Sequence, residues 1–164
     1  MRGDQLFLGI DSGTQGTKAV VFSPGQKKIL AEASVSHRIM ENNAGRREQE
    51  PHWWIDACSD ALHEVLRGEG VKREHIRGMG VSGQQHGFVP LDGQGEVIRP
   101  AKLWGDTETA PQCQEITSKI GGHDKVIALV GNSVAVGFTA SKILWMKQNE
   151  PENYDRLKTI LLPH

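Results

Sequence analysis

Cysteine is nearly absent: Cys58 and Cys113 are the only two in 164 residues. Two thiols cannot make the disulfide framework on which small secreted domains rely, and they lack zinc-ligand spacing, so a reducing, cytoplasmic setting is expected. Long apolar runs are missing too. The run between Asp4 and Asp11 is five residues, and the longest uncharged stretch, Val126 to Ser141, is broken by Gly131, Asn132 and Ser133. The first is too short for the apolar core of an export signal, and the second falls short of the roughly 18 apolar residues of a membrane span. No charge of one sign dominates: 19 Lys+Arg against 20 Asp+Glu give a net charge of -1. Such a balance offers no field for nucleic acid or an anionic membrane surface, and neither is expected as a partner. The seven histidines show no His-x3-His spacing, so no transition metal is indicated. Internal repeats, low-complexity tracts and linkers are likewise missing.

What remains is a composition able to fold. A hydrophobic share of 37% beside 24% charged residues supports a buried core, in one compact domain or the front part of a larger protein. Glycine, at 19 residues, clusters between apolar runs and predicts frequent turns. Leu6 to Ile10, Ala19 to Phe22 and Ile29 to His37 read as three strands in an antiparallel meander. From Pro51 onward, Trp53, Trp54, Ala57, Cys58, Ala61, Leu62, Val65 and Leu66 share one helical face, and the helix should end near Gly68. Trp53 and Trp54 are expected in the core, with Glu48, Gln49 and Glu50 on the solvated or capping side. Ile76 to Val81 and Phe88 to Leu91 should resume the sheet, with Gly83 to Gly87 as a tight connection and Asp92 to Gly95 as a hairpin turn into Val97 and Ile98. Helices are predicted over Thr109 to Ile120, Asp124 to Val130 and Thr139 to Gln148, the last stopped by Pro151. Leu157 to Leu162 reads as the start of a buried strand without a partner, which suggests a truncated chain.

Three segments carry candidate chemistry. In GIDSGTQGTK, Gly9 to Lys18, a strand delivers Asp11 into a loop of small and hydroxylated residues. Backbone N–H groups at Gly13 and Gly16 can close on phosphate oxygens, with Thr14 and Thr17 as further donors and Lys18 as positive charge; Asp11 can hold Mg2+ through water. The spacing is neither the Walker A loop nor the dinucleotide GxGxxG pattern, and the motif runs into a strand rather than a helix. A plain Gly/Thr-rich hairpin is the bland alternative. SGQQHGF, Ser82 to Phe88, sets Gln84, Gln85 and His86 at a strand's C-terminal end, where amides and imidazole could donate to and accept from sugar hydroxyls. In LWGDTET, Leu103 to Thr109, Trp104 and Asp106 precede a helix; Asp106 reads equally as its N-cap and Trp104 as core.

In this order the residues resemble the FGGY family of carbohydrate kinases, most closely its xylulokinase branch. GIDSGTQGTKAVVF resembles the first phosphate motif of the wider actin, Hsp70 and sugar-kinase superfamily; EQEPHWWIDA, VSGQQHGFVPLD and RPAKLWGD resemble later family segments. GNSVAVGFTASKILWMKQNEPENY resembles the family's first signature, with Gly137, Thr139, Lys142, Trp145, Gln148 and Asn149 in place. One position departs: relatives often carry Arg where this chain has Glu108.

The resemblance implies a ribonuclease-H-like α/β fold, a mixed sheet with flanking helices, of which residues 1–164 would be the N-terminal part of the first kinase domain. It implies ATP and Mg2+ as cofactors, with Asp11 at the metal and the transferred phosphoryl group, and Gly13, Thr14, Gln15, Gly16, Thr17 and Lys18 along the ATP phosphates. Gln85 and His86 would contact a ketopentose, and Trp104 and Asp106 would shape its pocket, while the Lys142 and Trp145 signature would be architectural. The implied reaction is phosphorylation of D-xylulose to D-xylulose 5-phosphate. Alternatives are L-ribulose, glycerol or gluconate as substrate, a non-catalytic sugar-binding fragment, or an Hsp70- or actin-like ATPase. The resemblance also favours a homodimer, and it places the general base and the adenine pocket beyond His164, so that this chain alone is expected to be inactive.

Overall fold

The computed structural model describes residues 5–164. In chain order its elements are β1 (Leu6–Ser12), β2 (Gly16–Ser23), β3 (Lys28–Ser36), β4 (Met40–Glu41), β5 (Arg47–Gln49), α1 (Pro51–Val65), β6 (Ile76–Gly83) and β7 (Val89–Leu91). There follow β8 (Ala101–Lys102), α2 (Ala110–Ile120), α3 (His123–Val130), α4 (Thr139–Asn149), α5 (Pro151–Arg156) and β9 (Thr159–Leu161). These residues gather into two compact units, one holding the chain up to Arg38, His52–Gln84 and His164, the other Ile39–Pro51 and Gln85–Pro163.

The first unit is the predicted meander with a strand added. Its sheet has the order β3-β2-β1-β6, antiparallel except for the β1–β6 pair. Strand alternation decides the faces: Leu6, Leu8 and Ile10 of β1 and Ala19 and Val21 of β2 are buried, while Phe7, Asp11, Lys18 and Phe22 between them are exposed. The buried row packs with Ala33 and with Ala61 and Val65 of α1, and Cys58, Leu62 and Leu66 fill in around them. Pro51 opens that helix where a missing N–H costs nothing. Gly68 leaves it so close to the sheet that a Cβ there would stand 2.5 Å from that of Ala31.

The second unit pairs short strands with helices. A three-stranded sheet, β4-β5-β8, and the ribbon β7-β9 accompany α2 to α5. Phe88, Val89, Ala101, Leu103, Cys113, Val126 and Met146 are among its buried apolar residues.

Several expectations change here. Phe88 to Leu91 does not resume the first sheet: Val89–Leu91 pairs with β9, so the closing strand has a partner after all. That strand is exposed along its length, whereas Val89 and Pro90 of its partner β7 are buried. The turn after Leu91 forms as predicted, but Val97 makes a single bridge to Leu91 rather than a strand. Pro151 starts α5 as well as following α4, a first-turn position that suits proline. Glu48 and Gln49 lie buried on β5 instead of on the solvated side of α1, since charged partners await Glu48 inside the second unit.

Candidate functional site

The glycine-rich segment forms a tight hairpin at the end of the first sheet. Asp11 pairs in register with Lys18 and Ser12 with Thr17, and the turn closes with the Gly13 N–H donating to the Gly16 carbonyl at 3.0 Å. Glycine is needed at position 16, where a Cβ would lie 2.7 Å from the Val35 carbonyl oxygen of the adjacent strand. Two braces hold the turn. Thr14 Oγ1 donates to Gln84 Oε1 at 3.1 Å, and the Gln84 N–H donates to the Ser12 carbonyl at 3.1 Å.

His37 is the other brace, and it went unrecognised in the sequence. Its N–H donates to the Gln15 carbonyl at 2.8 Å, its Nδ1 lies 3.0 Å from the Gly13 carbonyl, and its Nε2 lies 3.0 Å from Thr17 Oγ1. A carbonyl can only accept, so Nδ1 carries the proton and Nε2 accepts from the Thr17 hydroxyl in the neutral ring. Burial pushes the His37 pKa below its ordinary value, with the Gly13 carbonyl partly opposing. Thr17 is fully buried and its oxygen is 3.1 Å from Ser12 Oγ, so its hydroxyl braces the loop from beneath instead of facing outward.

Asp11 and Lys18 share the exposed sheet face but do not pair with each other. Lys18 reaches Glu32 at 3.2 Å, and the Asp11 carboxylate enters no ion pair or side-chain hydrogen bond among the described residues. A free carboxylate at a strand end, beside backbone N–H groups and hydroxyls, fits a hydrated Mg2+ ion, which prefers oxygen ligands and keeps several waters.

The chain passes into the second unit between Gln84 and Gln85. His86 adopts φ 59°, uncommon for a residue with a Cβ, and its ring stacks on Phe138 at 4.3 Å and 26°. Trp104 is 56% exposed, at the tip of the turn between β8 and α2. Asp106 is wholly buried: Oδ2 accepts from the Arg47 N–H at 3.0 Å and from Lys102 Nζ at 2.8 Å, and Oδ1 accepts from the Glu108 N–H at 3.1 Å. The two bland readings are therefore reversed. Trp104 is not core, and Asp106 is not the cap of α2, whose N-cap is Thr109.

Lys102 is the hub of this cluster. Its Nζ lies 2.6 Å from Glu108, 2.8 Å from Asp106, 3.2 Å from Glu48 and 4.1 Å from the centre of the Trp145 ring. Glu48, Asp106 and Glu108 are close enough together to hold a metal ion, but the ammonium group already stands among them. The Glu108 departure thus has a local reason, since a carboxylate there completes the shell of a buried lysine. A lysine set between two apolar residues, Ala101 and Leu103, was the signal available in the sequence.

Comparison with known proteins identifies the family. Residues 6–164 match the model of the FGGY family of carbohydrate kinases, N-terminal domain. A xylulose kinase of Haemophilus influenzae is 41% identical over 164 residues, covering 97% of this chain and 33% of the relative. One from Bacillus subtilis is 38% identical over 156 residues, covering 95% and 31%. The chain therefore spans about a third of the length of these relatives. Among solved structures, a xyloylose kinase from Brucella ovis superimposes with a TM-score of 0.87 at 33% identity, covering 97% of this chain and 32% of that one. Plasmodium falciparum glycerol kinase with ADP, at 22% identity and a TM-score of 0.78 over 93% of this chain and 30% of its own, shares the fold. Sequence, fold and the order of the motifs converge, and the chain belongs to the FGGY family of carbohydrate kinases.

Proposed function

We propose that this protein, at its native length, is an ATP- and Mg2+-dependent kinase that phosphorylates a ketopentose, D-xylulose, to D-xylulose 5-phosphate. The observation that carries the reading is the braced hairpin that leaves Asp11 unpaired beside a turn rich in backbone donors, in a chain 41% identical to a xylulose kinase. Residues 1–164 are then the N-terminal part of the first kinase domain.

In this reading the N–H groups of Gln15 and Gly16 receive the nucleotide phosphates on a turn that the Gly13 N–H keeps closed, while the Thr14 hydroxyl exchanges its Gln84 partner, and Lys18 its exposed Glu32 partner, for phosphate oxygen. Thr17 acts one step back, through His37. Asp11 would hold Mg2+ through water, and the ion when bound neutralises charge on the phosphate oxygens. Gln85 and His86 present paired donors and acceptors to the sugar hydroxyls. Trp104 offers an apolar wall, which the buried Asp106 supports from behind without touching the sugar. Removal of the sugar hydroxyl proton is assigned to a carboxylate beyond His164, so residues 1–164 alone should not turn over.

ADP release by the native-length protein tests this. Saturable release with D-xylulose is expected; no release with D-xylulose, L-ribulose, glycerol or gluconate would sink the kinase reading, and a preference for another member of the panel would replace the sugar.

A further inference from the structure

We propose that Lys142 is a positioning residue for sugar recognition, its ammonium group gripping the His86 and Gly137 carbonyls together and so fixing His86 relative to Trp104. The inference rests on the reading of Gln85 and His86 as the sugar-contacting residues. Lys142 Nζ donates to the His86 carbonyl and to the Gly137 carbonyl, each at 2.5 Å. The side chain is fully buried on α4. A buried ammonium ordinarily finds a carboxylate, whereas the direct partners of this one are two backbone oxygens.

Both peptides it grips are special. His86 holds a left-handed φ of 59°, a conformation that a residue with a Cβ keeps only when its surroundings impose it. Gly137 has φ 94°, and a Cβ there would fall 2.2 Å from the Trp104 carbonyl oxygen, so its backbone lies directly against that of Trp104. Phe138, next in sequence, carries the His86 ring. One amine thus ties the peptide that sets the imidazole to the peptide that abuts Trp104. Helix α4 has other anchors, including Ser141 Oγ to Thr109 Oγ1 at 3.0 Å and Gln148 to Gln112 at 2.8 Å, so its seat does not depend on Lys142 alone.

Desolvation lowers the Lys142 pKa to about 8, with Asp106 raising it and Lys102 lowering it further. Its charge therefore changes within a range accessible to assay, and the neutral amine makes weaker hydrogen bonds to the two carbonyls. The nearby groups bearing on this are Asp106 and Lys102, with Glu48 and Glu108 behind them, and His86 itself.

The test measures kcat and both KM values of the native-length kinase, wild type, Lys142→Met and Lys142→Arg, from about pH 7 to 9.5, with thermal melts alongside. Lys142→Met should raise the sugar KM about tenfold and leave the ATP KM within about twofold. In the wild type the sugar KM should climb above pH 8 while the ATP KM does not, and Lys142→Arg, whose guanidinium keeps its charge, should lose that rise. A depressed amine pKa means that the folded state loses no stability from this group as it deprotonates, so the climb should come without a fall in Tm from Lys142. An unchanged sugar KM in Lys142→Met, or equal rises in both KM values, overturns the proposal. If that variant does not fold, a flat wild-type sugar KM across the range overturns it. No sugar-dependent ADP release by the wild type would instead sink the kinase reading on which it stands.

Discussion

His37 shows how a single side chain can set a loop without touching what the loop binds. Its ring spans the Gly13 carbonyl and the Thr17 hydroxyl, and Arg38, His52, Asp56 and Asp60 line the same cavity. Because burial lowers its pKa, the unfolded chain takes up the proton first as pH falls. The stability His37 contributes is therefore complete above its ordinary value near 6.5 and is lost as pH drops through the lower folded value. Protonation also turns Nε2 into a donor and reverses its bond to Thr17. Melts of wild type against His37→Gln between about pH 7 and 5 should show a steeper acid loss of Tm in the wild type; parallel curves would mean the ring does not titrate in the fold. His37→Ala should raise the ATP KM several-fold with little effect on the sugar KM, since the loop it braces belongs to the first unit. The turn was legible in the sequence because glycine and threonine between two strands carry their own local signal. Its brace was not, since His37 stands 24 residues from Gly13 and only the β2–β3 pairing brings it back. Trp104 and Asp106 misled for a related reason: a tryptophan usually favours the core and a carboxylate the surface, unless a buried cation such as Lys102 reverses the balance.

At the scale of elements, period carried the reading and short strands defeated it. The 3.6-residue stripe of α1 and the alternation of β1 and β2 each extend over enough residues to show a face, and both were recovered within a few residues of their ends. β4, β5 and β8 have two or three residues each, too few for any period, and their pairing depends on partners up to about fifty residues away. What fastens β5 to β8 beyond backbone bonds is the ionic cluster: Arg99 reaches Glu48 at 2.5 Å and Glu150 at 2.9 Å, while Lys102 sits among three carboxylates. Removing one partner of such a buried set leaves charge uncompensated. Lys102→Met should accordingly destabilise the protein by about 3–5 kcal/mol in urea unfolding. Adding Glu108→Leu should recover part of that loss, a coupling that a double-mutant cycle measures directly. Additive losses would show that the two groups do not interact, and a near-neutral Lys102→Met would show that the cluster supplies little net stability.

The whole molecule divides the proposed chemistry between two units, and the division makes a kinetic prediction. The hairpin with Asp11, Thr14 and His37 lies in the first unit, and His86, Trp104 and Lys142 lie in the second, the chain passing from one set to the other at Gln84–Gln85. Substitutions should therefore sort by unit. His86→Ala removes groups offered to the sugar and should raise the sugar KM by an order of magnitude or so, as expected when polar groups on a bound ligand lose their partners. It should leave the ATP KM near its wild-type value. Asp11→Asn keeps size and polarity but removes the negative charge at the end of β1, which matters most where charge moves between phosphate oxygens. Its effect should fall on kcat, by about a hundredfold or more, with both KM values changing less. The Mg2+ dependence of the residual rate carries the same argument further. If Asp11 helps hold the ion, Asp11→Asn should need more Mg2+ for half-maximal rate, and excess Mg2+ should restore part of the loss. A variant with lowered kcat and unchanged Mg2+ requirement would place Asp11 at the phosphoryl group without a metal role. A variant with wild-type kcat would remove the hairpin carboxylate from the chemistry and leave its glycines and hydroxyls as a binding turn alone.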